Sequence, residues 1–412
     1  MLYEWSENGG VRLLNQNTRE AGHLTSLAFS STKGRKCILA FGRSNRYLGL
    51  SSLFDDAGPL SRSGSAPLPR FEVLQPAPIS CLSWRPTPTP RPSKCPAHPD
   101  IVVDTEDLLV ADEQGAVYYF AVEWPHRWEV ERHNWAGCIT LMARICVHTQ
   151  QICGLAWSPD GELFATGGND NLCCLFETNK VLTHASPSRV NWRGQPFDLM
   201  MPSVVAQQSA GSGLTDQGNN LTAGNEKYRW VHGAAVKAIA FCPWQDGLVA
   251  TGGGSNDKCI HFFHTTSGAA LATIAVSAQV TSLIWSTTRR EIAATLGYAQ
   301  PEHSVRIAVF AWPDCRQVAT IPWEGEHRAL YAIPYPGGPE DVRLLRNGSI
   351  ARKPNPAGVE GCIIVASSDK SVKFHEVWTT DGKATPGGVG MLGGSDILES
   401  LEGIDREGDV IR

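Results

Sequence analysis

The chain has 412 residues, of which 42% are hydrophobic and 19% are charged, and its formal net charge is −5. This composition is typical of a soluble globular protein, and the small negative charge gives no electrostatic basis for binding nucleic acid or an anionic membrane. No apolar run reaches the ~20 residues that span a bilayer, and the N-terminus lacks a basic-then-apolar signal sequence. We therefore expect a soluble, intracellular protein with no nucleic-acid or membrane partner.

The N-terminal part of the chain shows short strand patterns separated by turns. Residues 1–10 read as the last strands of a repeat and its exit turn, without the strands that should precede them. A second repeat runs from about residue 22 to residue 53, and a third begins near Phe71. Each repeat carries apolar residues at every second position, which indicates half-buried antiparallel strands.

The fourth repeat, QICGLAWSPDGELFATGGNDNLCCLFET at 151–178, shows the pattern most clearly. Three apolar runs are separated by a Ser-Pro-Asp-Gly turn and a Gly-Gly-Asn-Asp-Asn turn. A fourth, outer strand is expected before it, around residues 140–146. Similar units follow at 231–268, at 269–312 and from residue 315, where residues 318–321 should supply the outer strand.

A spacing of roughly forty residues between these units is the period of a four-stranded propeller blade. The sequence therefore predicts an all-β fold, a seven-bladed WD-repeat β-propeller over residues 1–378 with an incomplete first blade and long loop insertions. A flexible tail at 379–412 ends in Ile-Arg. The insertions are expected at residues 55–69, 87–104, 179–230 and 334–360. In the second of these, proline removes so many amide donors that we expect no sheet there.

Few residues are candidates for catalysis or metal binding. Three His/Asp pairs recur at the same place in different repeats: His148 with Asp170, His232 with Asp257, and His327 with Asp369. We expect them to form hydrogen bonds inside the blades rather than to act as acids and bases. The twelve cysteines show no Cys-x-x-Cys pair and no Cys/His metal spacing, and we find no nucleophile elbow or phosphate-binding loop. The sequence predicts no catalytic residue, no metal and no cofactor, and a propeller hydrolase remains an alternative by fold analogy alone.

Several strings are narrower than the general WD pattern. These are CGLAWSPDG at 153–161, ATGGNDN at 165–171, GAAVKAIAFCPWQ at 233–245, ATGGG at 250–254, and QVTSLIWS at 279–286 with GYAQ at 297–300. They resemble the Fizzy/Fizzy-related family, the WD-repeat activators of the anaphase-promoting complex. The resemblance covers roughly residues 140–377, and the segments at 259–267 and 328–336 look most like the fungal meiosis-specific branch.

The resemblance implies a function for the last two residues. Members of the family end in an Ile-Arg dipeptide that docks into tetratricopeptide subunits of the ligase, and this chain ends in Ile411 and Arg412. A carboxylate, a guanidinium and one branched apolar side chain make a compact handle for a helical groove.

The resemblance also implies a degron-binding surface. The residues that match the family's binding face for the Lys-Glu-Asn box are Asn169, Asn171, Ser255 and Arg328. Amide and hydroxyl groups can satisfy the polar groups of the peptide, and Arg328 can pair with its Glu. The alternative for the two asparagines is that they only form the turn.

The sequence departs from the family in two places. The family's C box, an Asp-Arg-Phe-Ile-Pro-type motif that stimulates the ligase, has no match, and no acidic residue can be matched to the destruction-box groove between the first and last blades. The implied function is that of a non-enzymatic adaptor that brings degron-bearing substrates to the ubiquitin ligase. The alternative is a propeller scaffold that has lost its ligase or degron contacts.

Overall fold

The computed structural model describes residues 2–6, 10–15, 22–30, 38–52, 69–183, 188–190, 220–299, 303–336, 342–344, 350–352 and 360–378. Contacts divide the chain into two compact units, Met1–Trp230 and Val231–Arg412. As predicted, the fold is an all-β WD-type propeller. Its described residues form six blade sheets, three in each unit, which we label A to F in chain order.

The first unit opens with a two-stranded sheet and then contains blades A, B and C. The opening strands are β1 at Leu2–Ser6 and β2 at Gly10–Asn15. Blade A consists of β3 to β6, at Leu24–Phe29, Ile38–Arg43, Tyr47–Ser52 and Phe71–Leu74. Blade B contains β7 to β11, at Ile79–Trp84, Thr89–Pro92, Val102–Asp112, Ala116–Glu123 and Cys138–Cys146. Blade C begins with β12 to β14, at Ile152–Trp157, Leu163–Gly168 and Leu172–Glu177.

Three short strands and two short helices complete this unit. Strands β15 (Ser188–Val190) and β16 (Asn220–Thr222) both pair with β11 of blade B, and β17 (Tyr228–Val231) is the fourth strand of blade C. Helix α1 spans Arg127–His133 and helix α2 spans Thr178–Thr183. Across the described ranges, no helix is long and apolar enough to cross a membrane.

The second unit contains blades D, E and F. Blade D consists of β18 to β21, at Val236–Phe241, Leu248–Gly253, Cys259–His264 and Ala270–Ala275. Blade E consists of β22 to β25, at Ala278–Trp285, Glu291–Ala299, Val305–Ala311 and Gln317–Pro322. Blade F consists of β26 at Ala329–Pro336, β29 at Glu360–Ser367 and β30 at Val372–Glu376. Strands β27 (Val342–Leu344) and β28 (Ile350–Arg352) form a separate hairpin.

The predicted count of seven blades was wrong, because six are present in the described part of the chain. Strands β1 and β2 form a two-stranded antiparallel sheet of their own. A hairpin of this size has too little surface to act as a blade, which needs three or more strands with an apolar face. The six blades therefore correspond to the second to seventh predicted repeats.

The outer strands also belong to different sheets from those predicted. Residues 140–146 were expected to form the outer strand of the following repeat, but β11 pairs with β10 and completes blade B. The strands β21 and β25 likewise complete blades D and E. The physical reason is that strands consecutive along the chain commonly pair as antiparallel neighbours. The sequence pattern showed that these strands exist, but not which sheet they join.

The proline-rich insertion of blade B contains a strand where none was expected. Strand β8 pairs with β9, with Thr89 opposite Thr105 and Pro92 opposite Val102. The buried carboxylate of Asp107 holds this segment, since Thr89 Oγ1 donates to its Oδ2 at 2.7 Å and the Arg91 guanidinium pairs with both of its oxygens. Proline is tolerated because β8 is an edge strand, where the missing amide donors face away from the ladder.

The apolar core lies between neighbouring blades within each unit. Four clusters of buried side chains fill the spaces between A and B, B and C, D and E, and E and F. Two glycines allow the close approach of these sheets. A Cβ on Gly42 would lie 2.5 Å from Ile79 Cγ2 of the next blade, and a Cβ on Gly252 would lie 2.4 Å from Val280 Cγ1. A side chain at either position would therefore push two blades apart.

A tryptophan at the end of an inner strand links one blade to the blade before it. In three cases the indole Nε1–H donates to a backbone carbonyl of the preceding inner strand: Trp84 to Ala28 at 3.0 Å, Trp157 to Ser83 at 3.2 Å, and Trp285 to Ala240 at 3.0 Å. All three side chains are buried, so each link combines a hydrogen bond with a large apolar contact. Phenylalanine occupies the corresponding last position of β3 and β18.

We expect Trp285→Phe to lower the free energy of unfolding by about 1–2 kcal/mol, because the Ala240 carbonyl loses its indole donor while the ring contact is largely kept. Urea unfolding followed by circular dichroism would measure the change. Trp128→Phe is the matched control, because Trp128 lies in α1 and is 59% exposed. Equal stability of the Trp285 variant and the unaltered protein would show that the indole link contributes nothing.

Candidate functional site

The polar rim of each blade consists of the loop that enters the inner strand and the turn between the second and third strands. Backbone hydrogen bonds join the two segments. The Asn169 N–H donates to the Gln151 carbonyl at 2.8 Å in blade C, and the Ser368 N–H donates to the Arg328 carbonyl at 3.0 Å in blade F. The four residues predicted to bind degrons all lie in rim segments: Asn169 and Asn171 in blade C, Ser255 in blade D and Arg328 in blade F.

A left-handed residue recurs in the rim turns. The residues with positive φ in these turns are Arg46, Gly115, Asn171, Lys258 and Lys370, with φ between 54° and 93°. Asparagine tolerates this conformation better than most residues because its short polar side chain can bond locally. The turn geometry therefore accounts for Asn171 without any ligand, as the structural alternative proposed.

Asn169 has a different environment, because its side chain is exposed at the tip of the turn. Its Nδ2 donates to Gln150 Oε1 at 3.0 Å. Sequence reasoning missed Gln150, which carries no motif and becomes a neighbour only through the folding of the entry loop onto the turn. Together the two amides present donors and acceptors that a peptide backbone could use.

In blade C the structure brings the predicted pair His148 and Asp170 together. Nδ1 of His148 lies 2.9 Å from Asp170 Oδ1, and its Nε2 lies 2.7 Å from Thr166 Oγ1. The Thr149 N–H donates to Asp170 Oδ2 at 2.9 Å. Burial alone would raise the pKa of Asp170, but the hydrogen bonds from His148 and Thr149 outweigh it and hold the pKa below the usual value.

In blade D the aspartate of the predicted pair has a partner that the sequence did not predict. His232 Nε2 lies 2.7 Å from Thr251 Oγ1, the same contact that His148 makes. Asp257 Oδ2, however, lies 2.9 Å from Nε2 of His261, and its Oδ1 accepts the Gly233 N–H at 3.2 Å. Burial raises the pKa of Asp257, but the hydrogen bonds from His261 and the Gly233 N–H, together with the charges of nearby histidines, outweigh it, so the net shift of the pKa is downward. His261 was missed by the sequence analysis.

In blade F the structure does not bring His327 and Asp369 together. Asp369 Oδ1 accepts the Ser371 N–H at 2.8 Å, and its Oδ2 lies 3.4 Å from Lys373 Nζ. The hydrogen bonds from Ser371 are the main reason that the pKa of Asp369 is lowered. His327 is exposed and its carbonyl accepts Arg306 Nε at 2.6 Å. The pairing of His327 with Asp369 is thus replaced by contacts within one turn.

One position explains these three outcomes. A carboxylate in the turn faces the residue four positions later, on the third strand, because alternate strand residues share a face. That residue is Cys174 in blade C, His261 in blade D and Lys373 in blade F. In blades D and F this residue is basic and pairs with the carboxylate. In blade C it is a cysteine, and the carboxylate pairs with the histidine of the entry loop. The identity of the residue four positions after the aspartate can be read from the sequence.

Arg328 lies at the start of an exposed apolar strip on blade F. Its side chain is exposed, and its backbone N–H donates to Ser368 Oγ at 2.9 Å. On β26 it is followed by Leu330, Tyr331 and Ile333, which are 40%, 60% and 46% exposed. The sequence alone did not single out these apolar residues. A cation beside exposed apolar groups suits a peptide that carries an acidic residue.

The remaining predicted site residues, Ile411 and Arg412, lie outside the described residues. The same holds for the whole predicted tail at 379–412. Their role stays a prediction.

Comparison with known proteins identifies the repeat and the relatives of the chain. The family described as "WD domain, G-beta repeat" matches residues 140–177. Meiotic fizzy-related protein 2 of Schizosaccharomyces pombe is 28% identical over 418 residues, covering 98% of this chain and 63% of that protein. Meiosis-specific APC/C activator protein AMA1 of Saccharomyces cerevisiae is 31% identical over 308 residues, covering 72% of this chain and 41% of that protein. The chain thus spans less than two thirds of the length of these relatives.

A solved structure supports the fold. A chain in the crystal structure of a mitotic checkpoint complex aligns with a TM-score of 0.55 and 23% identity, covering 92% of this chain and 81% of that chain. At this level of identity the similarity establishes the fold alone.

We expect Asp170→Asn to lower the stability of the protein by about 1–3 kcal/mol near neutral pH, because His148 and Thr149 lose a charged acceptor. Since the folded pKa of Asp170 is lowered, the stabilisation tied to its charge is complete above the ordinary value of 3.8 and declines as the pH falls from there toward the folded pKa. The stability gap between the variant and the unaltered protein should therefore narrow in that window.

Urea unfolding at a series of pH values would measure this gap. Asp100→Asn is the control, because Asp100 is exposed in the same unit. A gap that is absent at neutral pH, or that stays constant through the acidic window, would contradict a charge-dependent role for Asp170.

Proposed function

Because the homologues of this chain are Fizzy-related proteins and activators of the anaphase-promoting complex, we propose that it is a substrate-recognition adaptor and activator of that ubiquitin ligase. The observation that carries the proposal is the similarity to a fizzy-related protein along nearly the whole chain, together with the similarity to AMA1 over 72% of it. The two meiotic relatives favour a role in meiosis. The place of action would be the nucleus and cytoplasm.

An adaptor requires no catalytic chemistry of its own. The ligase and its conjugating enzyme perform the transfer, and the adaptor contributes by raising the effective concentration of the substrate at the ligase. The His/Asp/Thr contacts of the rim suit this role, because they stiffen the loops that would contact a peptide. We therefore interpret His148, His232 and their partners as structural residues.

We propose that rim residues contact degrons of the Lys-Glu-Asn type, namely Asn169 in the first unit and, in the second unit, Ser255 and Arg328. The support is that Arg328 is exposed beside the apolar residues of β26, and that Asn169 is exposed with Gln150 next to it. Ser255 is half-buried in the rim turn of blade D. Asn171 is a weaker candidate than the other three, because its left-handed backbone already gives it a structural role.

The alternative is a scaffold that keeps the propeller and has lost degron or ligase contacts. The adaptor and the scaffold differ in two measurable properties, namely peptide binding at the rim and ligase binding through the last two residues.

The first test is peptide binding. We expect a labelled peptide containing Lys-Glu-Asn to bind the protein in a fluorescence anisotropy titration, and a peptide with three alanines in their place not to bind. Arg328→Ala should raise the Kd about 10- to 100-fold, the equivalent of losing one charge-assisted hydrogen bond. Arg316→Ala is the matched control, because its side chain is 69% exposed in the same unit. Equal affinity of both variants, or of both peptides, would favour the scaffold.

The second test is co-precipitation of ligase subunits from cell extract, detected by mass spectrometry. We expect the intact chain to bring down tetratricopeptide subunits and a chain that ends at Val410 to lose them, because the guanidinium and the isoleucine side chain are removed and the terminal carboxylate moves to Val410. Glu407→Gln is the control, since it changes the charge of the tail and leaves Ile411 and Arg412 in place. Equal recovery with both chains would contradict docking through the dipeptide.

A further inference from the structure

Three side chains that commonly ligate metals converge on the rim of blade D. One ligand atom each from Asp257, Cys259 and His261 can be chosen so that all three lie within 4.8 Å of one another. They are consecutive residues of one face, because Asp257 ends the turn and Cys259 and His261 are the first and third residues of β20. The motif is Asp-x-Cys-x-His, which differs from the Cys/His spacings searched for in the sequence.

Hydrogen bonds hold the carboxylate and the imidazole of this cluster in place. Asp257 Oδ1 is occupied by the Gly233 N–H, so that Oδ2 faces His261 Nε2 at 2.9 Å. The other ring nitrogen of His261, Nδ1, lies 3.1 Å from Thr273 Oγ1 on the neighbouring strand β21. With a metal ion at Nε2, the neutral ring would carry its proton on Nδ1 and donate it to Thr273 Oγ1. Such an outer hydrogen bond is the usual way in which proteins orient a metal-binding histidine.

Two glycines surround the carboxylate. A Cβ on Gly253 would lie 1.6 Å from Asp257 Oδ2, and a Cβ on Gly233 would lie 3.0 Å from its Oδ1. A larger residue at Gly253 would occupy the place of the ligand oxygen. The side chains of Asp257 and His261 are 9% and 20% exposed. The cluster is therefore largely buried but accessible to a metal ion from solvent.

We propose that Asp257 Oδ2, Cys259 Sγ and His261 Nε2 bind a Zn²⁺ ion, with solvent in the fourth position. Carboxylate, thiolate and imidazole are the three ligand types that zinc accepts in tetrahedral sites, and a thiolate disfavours calcium and magnesium. On binding, the Nε2 proton moves through solvent to Nδ1, zinc takes its place between Nε2 and Oδ2, and the Cys259 thiol releases its proton to solvent. The ion would tie the rim turn, which carries Ser255, to strand β20.

The test uses the full chain, reduced and freed of metal, titrated with Co²⁺ as an optical probe and then with Zn²⁺. We expect one equivalent of Co²⁺ to produce a thiolate-to-cobalt charge-transfer band that Zn²⁺ removes. Cys259→Ser should abolish the band, and His261→Gln should weaken Co²⁺ binding at least about 10-fold. Cys315→Ser and His264→Gln are the matched controls, since Cys315 is a half-buried free thiol of the same unit and His264 lies on the same strand and bonds to Ser267.

The melting temperature of each variant without metal shows whether it is folded, and Zn²⁺ should raise that temperature in the unaltered protein and in both controls. Absence of the band in the unaltered protein overturns the proposal, as does a band of equal strength in Cys259→Ser or His261→Gln. If Cys259→Ser does not fold, Cys259→Thr supplies the same comparison. Arg328→Ala should keep the band, so the outcome is independent of the proposed degron binding.

Discussion

The structure depends on the contact between consecutive inner strands, because a single four-stranded sheet cannot bury both of its apolar faces. Three inner strands end in a buried tryptophan whose indole donates to the inner strand of the preceding blade. The ring fills the space between the sheets, and its one polar atom is satisfied by a carbonyl at the point of closest approach. Gly42 and Gly252 serve the same contact, because any side chain there would collide with the next blade.

The contacts between blades lie in the core, so the rim turns are not needed to hold the blades together. Since the apolar faces and the indole links hold the blades together, the turns contribute mainly by satisfying their own polar groups. The histidines at 148 and 232 each reach a threonine of the second strand, at 2.7 Å in both blades. These contacts connect the entry loop to the sheet. The rim is therefore stiff at its base, while residues at its tips, such as Asn169 and Arg328, remain exposed.

The sequence predicted the elements of the fold well and their assembly less well. Alternation and turn signals located the inner strands, because a half-buried strand must alternate and the turns need Gly, Asn, Asp or Pro. The number of blades was wrong because residues 1–10 show strand patterns without showing what those strands pair with. The strand at Thr89–Pro92 was missed because its stability comes from Asp107, which is distant in sequence. Pairing and long-range ion contacts are properties of the assembled chain, and local patterns do not contain them.

In the candidate site, too, local patterns identified the residues but not the partners that they contact in the fold. The spacing of histidine and aspartate was recognised in three blades, and in blade C the aspartate bonds to that histidine. In blades D and F the residue four positions after the aspartate is basic and pairs with the carboxylate. In blade D the competitor is His261, and the displaced carboxylate then lies beside Cys259 as well. A change at one position of a repeated hydrogen-bond network thus converts a structural carboxylate into one member of a donor set suited to zinc, without altering the strands that carry it.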